Sequence, residues 1–381
     1  MTWQPYYGRM AAIPAVLALL LAACGGASTA SDEPDASVAA SMAPGESEAA
    51  EPSADAAGGK IVVSNWDGYM PPEFAEEFEA ATGIEVELAL HTTNEDVMGK
   101  LEAANGGGFD VVFVSAPFAE ILDKRGWAAQ LDHDQIPNLE NLSPEASVLD
   151  YDPGNAFSVP YTWGTTGLCY RTDLVTEEID SWADLLQPAE ELQGKITMLA
   201  TDRWLLLPAQ KLLGHSVNST DEAELTEARD LLIEAKEHLL AYDDTTFYSR
   251  LVSGEAWLVE AWDGWCNYGI AEDPNIGWVV PEEGSDVFVD AMVVLESSEN
   301  KAAAHAFIDY ILSPEVGVWV AENILYKVPN AAAMEALDPA LIEAFPNLGM
   351  TPEELFENEV MRDVGDALPT YTRIVSEVTA S

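Results

Sequence analysis

The sequence predicts an α/β protein in two blocks, and three observations carry that expectation. From residue 60 to 125, strand-like and helix-like segments alternate as βαβαβα, which calls for a parallel sheet with helices on its faces. The alternation breaks at an extended apolar stretch, Ser158-Val159-Pro160-Tyr161-Thr162-Trp163-Gly164, and a second alternating block follows. The 381 residues, 48% of them hydrophobic and 11 of them Trp, supply enough apolar material for two cores.

The first strand, Lys60 to Val63, runs into Ser64-Asn65-Trp66-Asp67-Gly68-Tyr69. In α/β proteins the carboxyl end of a first strand is where ligands sit. Here that end offers an indole, a carboxylate and a phenol within four residues. It reads as one wall of a cleft for a cationic small molecule. A helix follows over 72–81, with proline in its first turn, Phe74 and Phe78 on one face and Gly83 to close it. Residues 84–90 alternate as a strand. Residues 94–104 put Val97, Met98 and Leu101 on one helical face, which Gly106-Gly107-Gly108 ends. Residues 109–114 are a nearly continuous apolar run, a buried strand, and Ser115-Ala116-Pro117-Phe118 opens a helix to about Arg125.

In the second block, strands are expected at 166–170, 196–199, 257–261 and 276–280, and helices at 202–213, 221–239 and 247–253. The strand at 288–294 is expected to lead back to the first block. Helices follow at 300–312 and 314–324, and the helices past Pro352 are expected to return to the second block.

Ahead of the globular part, Arg9 precedes a short apolar run from Met10 to Ala23, then Cys24, the pattern of a secretory signal. The run is shorter than the roughly 20 residues a membrane-spanning helix needs. Leu21-Ala22-Ala23-Cys24 resembles the lipobox of bacterial lipoproteins, which implies a lipid on Cys24, cleavage before it and attachment to a membrane. Residues 24–59 are rich in Ala, Ser, Glu, Asp, Pro and Gly, a composition that buries too little surface to fold, so an acidic tether is expected. The chain carries 67 acidic against 16 basic residues, a net charge of −51. Such a surface repels nucleic acid and anionic lipid and attracts cations. Dense carboxylates also suit a saline habitat, and both explanations stand. The five histidines, His91, His133, His215, His238 and His305, show no zinc-ligand spacing, so no metal site is expected. Asp150-Tyr151-Asp152-Pro153-Gly154-Asn155 has a faint calcium-loop look and is read as a turn.

From about Ile61 to near its end, the chain resembles the bacterial spermidine/putrescine-binding proteins of ABC transporters. The matching runs are Asn65-Trp66-x-x-Tyr69, Phe109-Asp110-Val111-Val112, Pro160-Tyr161-x-Trp163-Gly164 and Ser181-Trp182-Ala183-Asp184-Leu185. Asp290 after the Glu282-Glu283-Gly284 turn, Leu312-x-Pro314-x-Val316, Tyr326-x-x-Pro329-Asn330 and Asp363-Val364-Gly365 complete them. Each is weak alone, and their order and spacing over roughly 300 residues carry the likeness. It implies a two-lobed, type II periplasmic-binding-protein fold with two crossovers and a ligand cleft between the lobes. The expected boundaries are 1–23 for the signal, 24–59 for the tether, 60–163 plus 289–334 for the first lobe and 164–288 plus 335–381 for the second.

In that family, rings pack on the polyamine methylenes and carboxylates take its ammonium groups. The resemblance carries ligand contact onto Trp66, Tyr69, Ser115, Trp262, Asp290 and Tyr326. Asp290 is the strongest, since a carboxylate inside an apolar strand needs a partner. Ser115 suits a helix cap as well as a ligand contact. The sequence also departs from the family. An acid before the first-wall tyrosine is Gly68 here, with Asp67 as its substitute, and Pro117 stands where an aromatic is usual. At the second-lobe helix start Asp202 is shifted by one residue and Trp204 replaces a Glu. Phe288 replaces a Trp, and Met361 a Gln. Fewer carboxylates and one more indole favour a diamine, a monoamine or a quaternary ammonium compound over a long triamine.

Cys169 and Cys266 form either a disulfide or two buried thiols. The expected function is a monomeric substrate-binding lipoprotein that closes on its ligand and presents it to a membrane permease, with no cofactor. Thiamine is a further candidate ligand. The rivals are an extracytoplasmic hydrolase using paired carboxylates such as Asp67 and Asp290, and an adhesin or sensor of the same fold. No GxSxG, zinc or phosphate-loop motif supports catalysis.

Overall fold

The computed structural model describes residues 59–380. The signal segment, Cys24 and all but the last residue of the expected tether lie outside the described residues. The first block folds as read. Strands β1 (Lys60–Trp66), β2 (Glu85–His91) and β3 (Val111–Ser115) are parallel, and helices α1 (Phe74–Thr82), α2 (Asn94–Ala103) and α3 (Ala116–Lys124) connect and follow them. β1 lies between β2 and β3, and its inner residues are the apolar ones: Ile61 and Val63 are fully buried, with Val63 opposite Leu88 and Val111. The 150–155 run is a turn. Asp152 accepts the backbone N–H groups of Ala156, Phe157 and Ser158 at 2.7, 3.2 and 2.7 Å.

The extended stretch forms β4 (Val159–Gly164), and after Thr165 the chain enters the second sheet at β5 (Thr166–Arg171). There follow α4 (Trp182–Leu186), β6 (Ile196–Met198), α5 (Asp202–Leu212), α6 (Glu222–Ala235), β7 (Leu239–Tyr242), α7 (Phe247–Ser253), β8 (Leu258–Trp262), α8 (Asp263–Glu272) and β9 (Ile276–Val279). The second sheet runs β7-β6-β8-β5-β9, with β6 parallel to β7 and β8, and β5 antiparallel to β8 and β9.

Strand β10 (Asp286–Val294) then returns to the first sheet and pairs antiparallel with both β3 and β4. After it come α9 (Lys301–Ile311), α10 (Pro314–Asn323), α11 (Ala331–Ala336), α12 (Pro339–Ala344), α13 (Pro352–Leu355), β11 (Glu359–Val360) and α14 (Leu368–Ala380). The first sheet is thus ordered β11-β10-β3-β1-β2, with β4 also on β10. This is the expected two-sheet α/β architecture, with chain crossings at 164–166 and along β10.

Two expectations need correction, and one helix was not anticipated. The helix expected to reach Leu239 ends at Ala235, and Leu239–Tyr242 becomes an edge strand, because parallel pairing with β6 outweighs the helical preference of Leu and Ala. Helix α8, directly after β8, is the unanticipated one. Gly264 and Gly269 dilute its pattern, and packing holds it instead. Of the helices past Pro352, α14 packs on α5 and α6, but α13 stays with the first block: Leu355 joins Val287, Val289 and Trp163 in its core.

Helix α8 is fastened twice. Cys266 is disulfide-bonded to Cys169 of β5, with Cα atoms 5.8 Å apart. At its amino end, Asp263 forms a buried ion pair with Lys327, whose Nζ also donates to the Asn347 carbonyl at 3.2 Å. Lys327 itself lies beside β4, its carbonyl accepting the Trp163 N–H at 3.1 Å. A side chain at Gly164 would collide with Asp263 and Phe288, and one at Gly264 with the Tyr326 ring. Glycine at both positions lets the two sheets approach.

Two outcomes follow for stability. The disulfide closes a loop with a sequence separation of 97, so its reduction is expected to cost about 4 kcal/mol, a fall of roughly 8 °C in Tm by calorimetry. Lys327→Met leaves Asp263 buried without a cation and is expected to cost about 3–5 kcal/mol in urea unfolding. The double change Lys327→Met with Asp263→Leu should recover much of that loss.

Candidate functional site

The register of β10 assembles the centre of the site. Asp290 lies opposite Ser115 of β3 on one side and Thr162 of β4 on the other. Ser115 Oγ donates to Asp290 Oδ1 at 2.7 Å, and Thr162 Oγ1 is 3.5 Å from Oδ2. From the turn after β1, Tyr69 OH donates to Oδ2 at 2.8 Å and lies 2.8 Å from Thr162 Oγ1. Asn94, at the start of α2, fixes Ser115 from behind, taking its N–H at 3.0 Å and donating to its Oγ at 3.1 Å. Ser115 precedes α3 but makes no side-chain cap; its hydroxyl goes to the Asp290 carboxylate instead.

Burial pushes the Asp290 carboxyl above its ordinary range, while the hydroxyls of Ser115, Tyr69 and Thr162 pull it back. Burial, with Asp290 beside it, holds the Tyr69 phenol well above the usual tyrosine range. All the groups holding Asp290 are neutral donors, and among the described residues no Lys or Arg forms an ion pair with it. A carboxylate has about four acceptor sites, so capacity remains for an incoming N–H.

Aromatic rings surround this carboxylate. Tyr69 meets Trp66, Tyr161 and Tyr326 edge-on, at 5.4, 5.5 and 6.1 Å between ring centres. Tyr326 in turn meets Phe288 at 5.9 Å. Tyr161 OH donates to the Tyr69 carbonyl and pins the turn that carries Tyr69. Trp66 stands against His91 at 4.7 Å, and His91 Nδ1 shares a 2.8 Å hydrogen bond with Ser64 Oγ. Burial pushes the His91 imidazole down to about 4, so it is neutral near pH 7.

The second-block residues form a separate group. Trp204 of α5 stands at 88° to Trp262 at the end of β8, with centres 5.5 Å apart, and its indole N–H donates to Asp286 at 3.0 Å. Two expected carboxylates are not drawn into the Asp290 network. Asp67 lies in the exposed turn after β1. Asp202 accepts the Thr372 hydroxyl of α14 at 2.6 Å, an engagement set by the packing of α14 on α5.

Sequence reasoning missed Thr162, Asn94, Tyr161 and Asp286. The strand period offers a signal for two of them. Residues 286, 288 and 290 share a face of β10, and Thr162 falls beside Asp290 once β4 pairs with it. Asn94 carried no signal, because its role depends on how α2 meets the end of β3.

Comparison with known proteins agrees with this architecture. The family model described as bacterial extracellular solute-binding protein matches residues 73–342. The chain is 31% identical over 319 residues to the spermidine/putrescine-binding periplasmic protein of Salmonella typhimurium, covering 83% of this chain and 90% of that one. It is 29% identical over 293 residues to the putrescine/cadaverine-binding protein of Pseudomonas aeruginosa, covering 74% and 82%. Among solved structures, the spermidine/putrescine ABC transporter substrate-binding protein PotD from Streptococcus pneumoniae superposes with a TM-score of 0.74 at 28% identity, covering 84% of this chain and 98% of that chain. A carboxylate among neutral hydroxyls and rings, at the strand ends of this fold, thus belongs to a chain that is a member of the bacterial extracellular solute-binding protein family.

Proposed function

We propose that this protein captures a polyamine of the putrescine or spermidine kind, or a closely related organic cation, outside the cytoplasm and delivers it to the permease of an ABC importer. The observation that carries the reading is Asp290. A half-buried carboxylate held only by neutral donors supplies a fixed negative charge that a ligand can still reach, and the missing positive charge is the ligand's. An ammonium there gains a charge-assisted hydrogen bond, and rings such as Trp66, Tyr69 and Tyr326 offer π faces to the cation and apolar walls to its methylenes. The names of its relatives support the same ligand class.

The two lobes, one built on the first sheet together with α13 and β11 and the other on the second sheet, would close on the ligand, Trp262 and Trp204 adding the second wall. Closure needs contacts that exist only when both lobes engage. The protein binds rather than turns over its ligand: Asp67 lies outside the Asp290 network, so the paired-carboxylate hydrolase loses its second acid. A lipid on Cys24 would tether a monomer to the membrane. Spare acceptor capacity on a single central carboxylate favours a diamine over a triamine.

Thermal-shift measurements with putrescine, spermidine, choline and thiamine test the class. A clear rise in Tm with putrescine is expected, and no rise with any cationic ligand sinks the reading. Asp290→Asn keeps the shape, removes the charge and is expected to weaken putrescine binding on the order of 100-fold in calorimetry. Affinity should also depend on pH. A bound ammonium favours the ionised carboxylate, so it lowers the Asp290 pKa from its raised value in the free protein. Binding then releases protons, and affinity falls as pH drops through that raised value. Asp290→Asn should flatten the profile.

A further inference from the structure

The second indole group contains a carboxyl with no role so far. Asp286 is fully buried on β10, four residues before Asp290 and on the same face of the strand. Its Oδ1 accepts the backbone N–H of Thr166, the first residue of β5, at 2.9 Å. Its Oδ2 accepts the indole N–H of Trp204 at 3.0 Å. Burial pushes this carboxyl up to about 6, so keeping it ionised here costs stability that an apolar side chain would not. What the carboxylate adds is direction: an N–H···O bond at a ring edge fixes where the Trp204 ring plane lies. That ring meets Trp262 nearly at a right angle, at 88°.

The two halves of β10 therefore have a parallel construction. In the first lobe Asp290 holds the Tyr69 ring by its hydroxyl, and in the second Asp286 holds the Trp204 ring by its N–H. Phe288 stands between them and touches Tyr326. One strand thus sets the attitude of an aromatic side chain on each side of the site.

We propose that Asp286 is a positioning residue: it fixes the Trp204 indole, and through it Trp262, and thereby sets which amines the second-lobe wall accepts. The proposal rests on the amine-binding reading for its specificity part. The hold on the indole stands without it. A purely architectural Asp286, anchoring only Thr166, would affect folding but not the rings.

The test uses the full chain with Asp286→Leu, Asp286→Asn, Trp204→Phe and the double Asp286→Leu/Trp204→Phe. Near-UV circular dichroism reads the Trp204–Trp262 pair, and calorimetry reads putrescine and spermidine binding. The expected result is loss of the pair's near-UV band in Trp204→Phe and in Asp286→Leu. Putrescine affinity should fall about tenfold in Asp286→Leu, with an altered putrescine-to-spermidine ratio and little further loss in the double variant. A variant with lowered Tm but an unchanged band and unchanged affinities overturns the proposal. If Asp286→Leu does not fold, Asp286→Asn, which keeps one acceptor for two donors, carries the same comparison with a smaller effect. If the unaltered protein binds neither amine, the amine reading and the specificity part fall together, while the near-UV band still decides whether Asp286 holds the indole.

Discussion

The structure turns on a half-buried carboxylate whose position is set by strand register. Asp290 sits where β10 is clamped between β3 and β4, so hydroxyls of Ser115 and Thr162 stand on either side of it. A slip of one residue would turn Asp290 to the opposite face and bring Val289 or Ala291 in its place. The apolar neighbours forbid that slip. Val289, Ala291, Met292, Val293 and Val294 are all fully buried, so the core that fixes the register also fixes the site. Packing and ligand chemistry are the same constraint here, seen from two faces of one strand.

That constraint extends to the joint between the sheets. β10 enters the second block at Asp286, which ties the start of β5 and Trp204, while Gly164 and Gly264 leave no room between β4, Phe288, Tyr326 and α8. A further connection lies on α3. Glu120 accepts Arg362 Nε at 2.6 Å, and Lys124 pairs with Asp363 at 2.7 Å. Arg362 in turn presents its carbonyl to Arg203 of α5 at 2.6 Å. The segment before α14 is therefore held by a first-sheet helix and a second-sheet helix together. Lys124 is mostly solvent-facing, so its share is small and screened by salt, whereas Glu120 is buried and its pairing with Arg362 matters more.

Much of this was legible in the sequence, for identifiable reasons. The first block read correctly because β1 and β3 are short apolar runs, β2 alternates after Gly83, and its helices carry one apolar face. Trp66, Tyr69, Ser115 and Asp290 were readable because each stands at a strand end or interrupts an apolar pattern. Strand β7 was not, since Leu239–Tyr242 has the composition of a helix and is a strand only through its neighbour β6. Asp202 and Asp67 lie outside the Asp290 network, and sequence could not show that: in a chain with 67 acids, a carboxylate near a given place in sequence is cheap to find, and only the folded structure tells which ones meet. Asn94 and Tyr161 act on residues that folding brings to them from 21 and 92 positions away.

Comparing Asp290, which is half-buried, with the fully enclosed carboxyls sharpens its case. Asp263 and Glu120 are matched with cations, Lys327 and Arg362. Asp152 is saturated by three backbone N–H groups and the Ser158 hydroxyl, and Asp286 takes one N–H on each oxygen. Glu260 accepts a single N–H from Leu199, and its burial drives it well above the carboxylate range, which favours the neutral acid. Each of these is resolved by a cation, by backbone or ring N–H donors, or by a proton. Asp290 has hydroxyl donors and no cation, in a protein with only 16 basic residues to distribute, one of which is spent on Asp263. Hydroxyls orient a carboxylate without neutralising it. Such an arrangement leaves the charge available, which is what the proposed amine ligand requires.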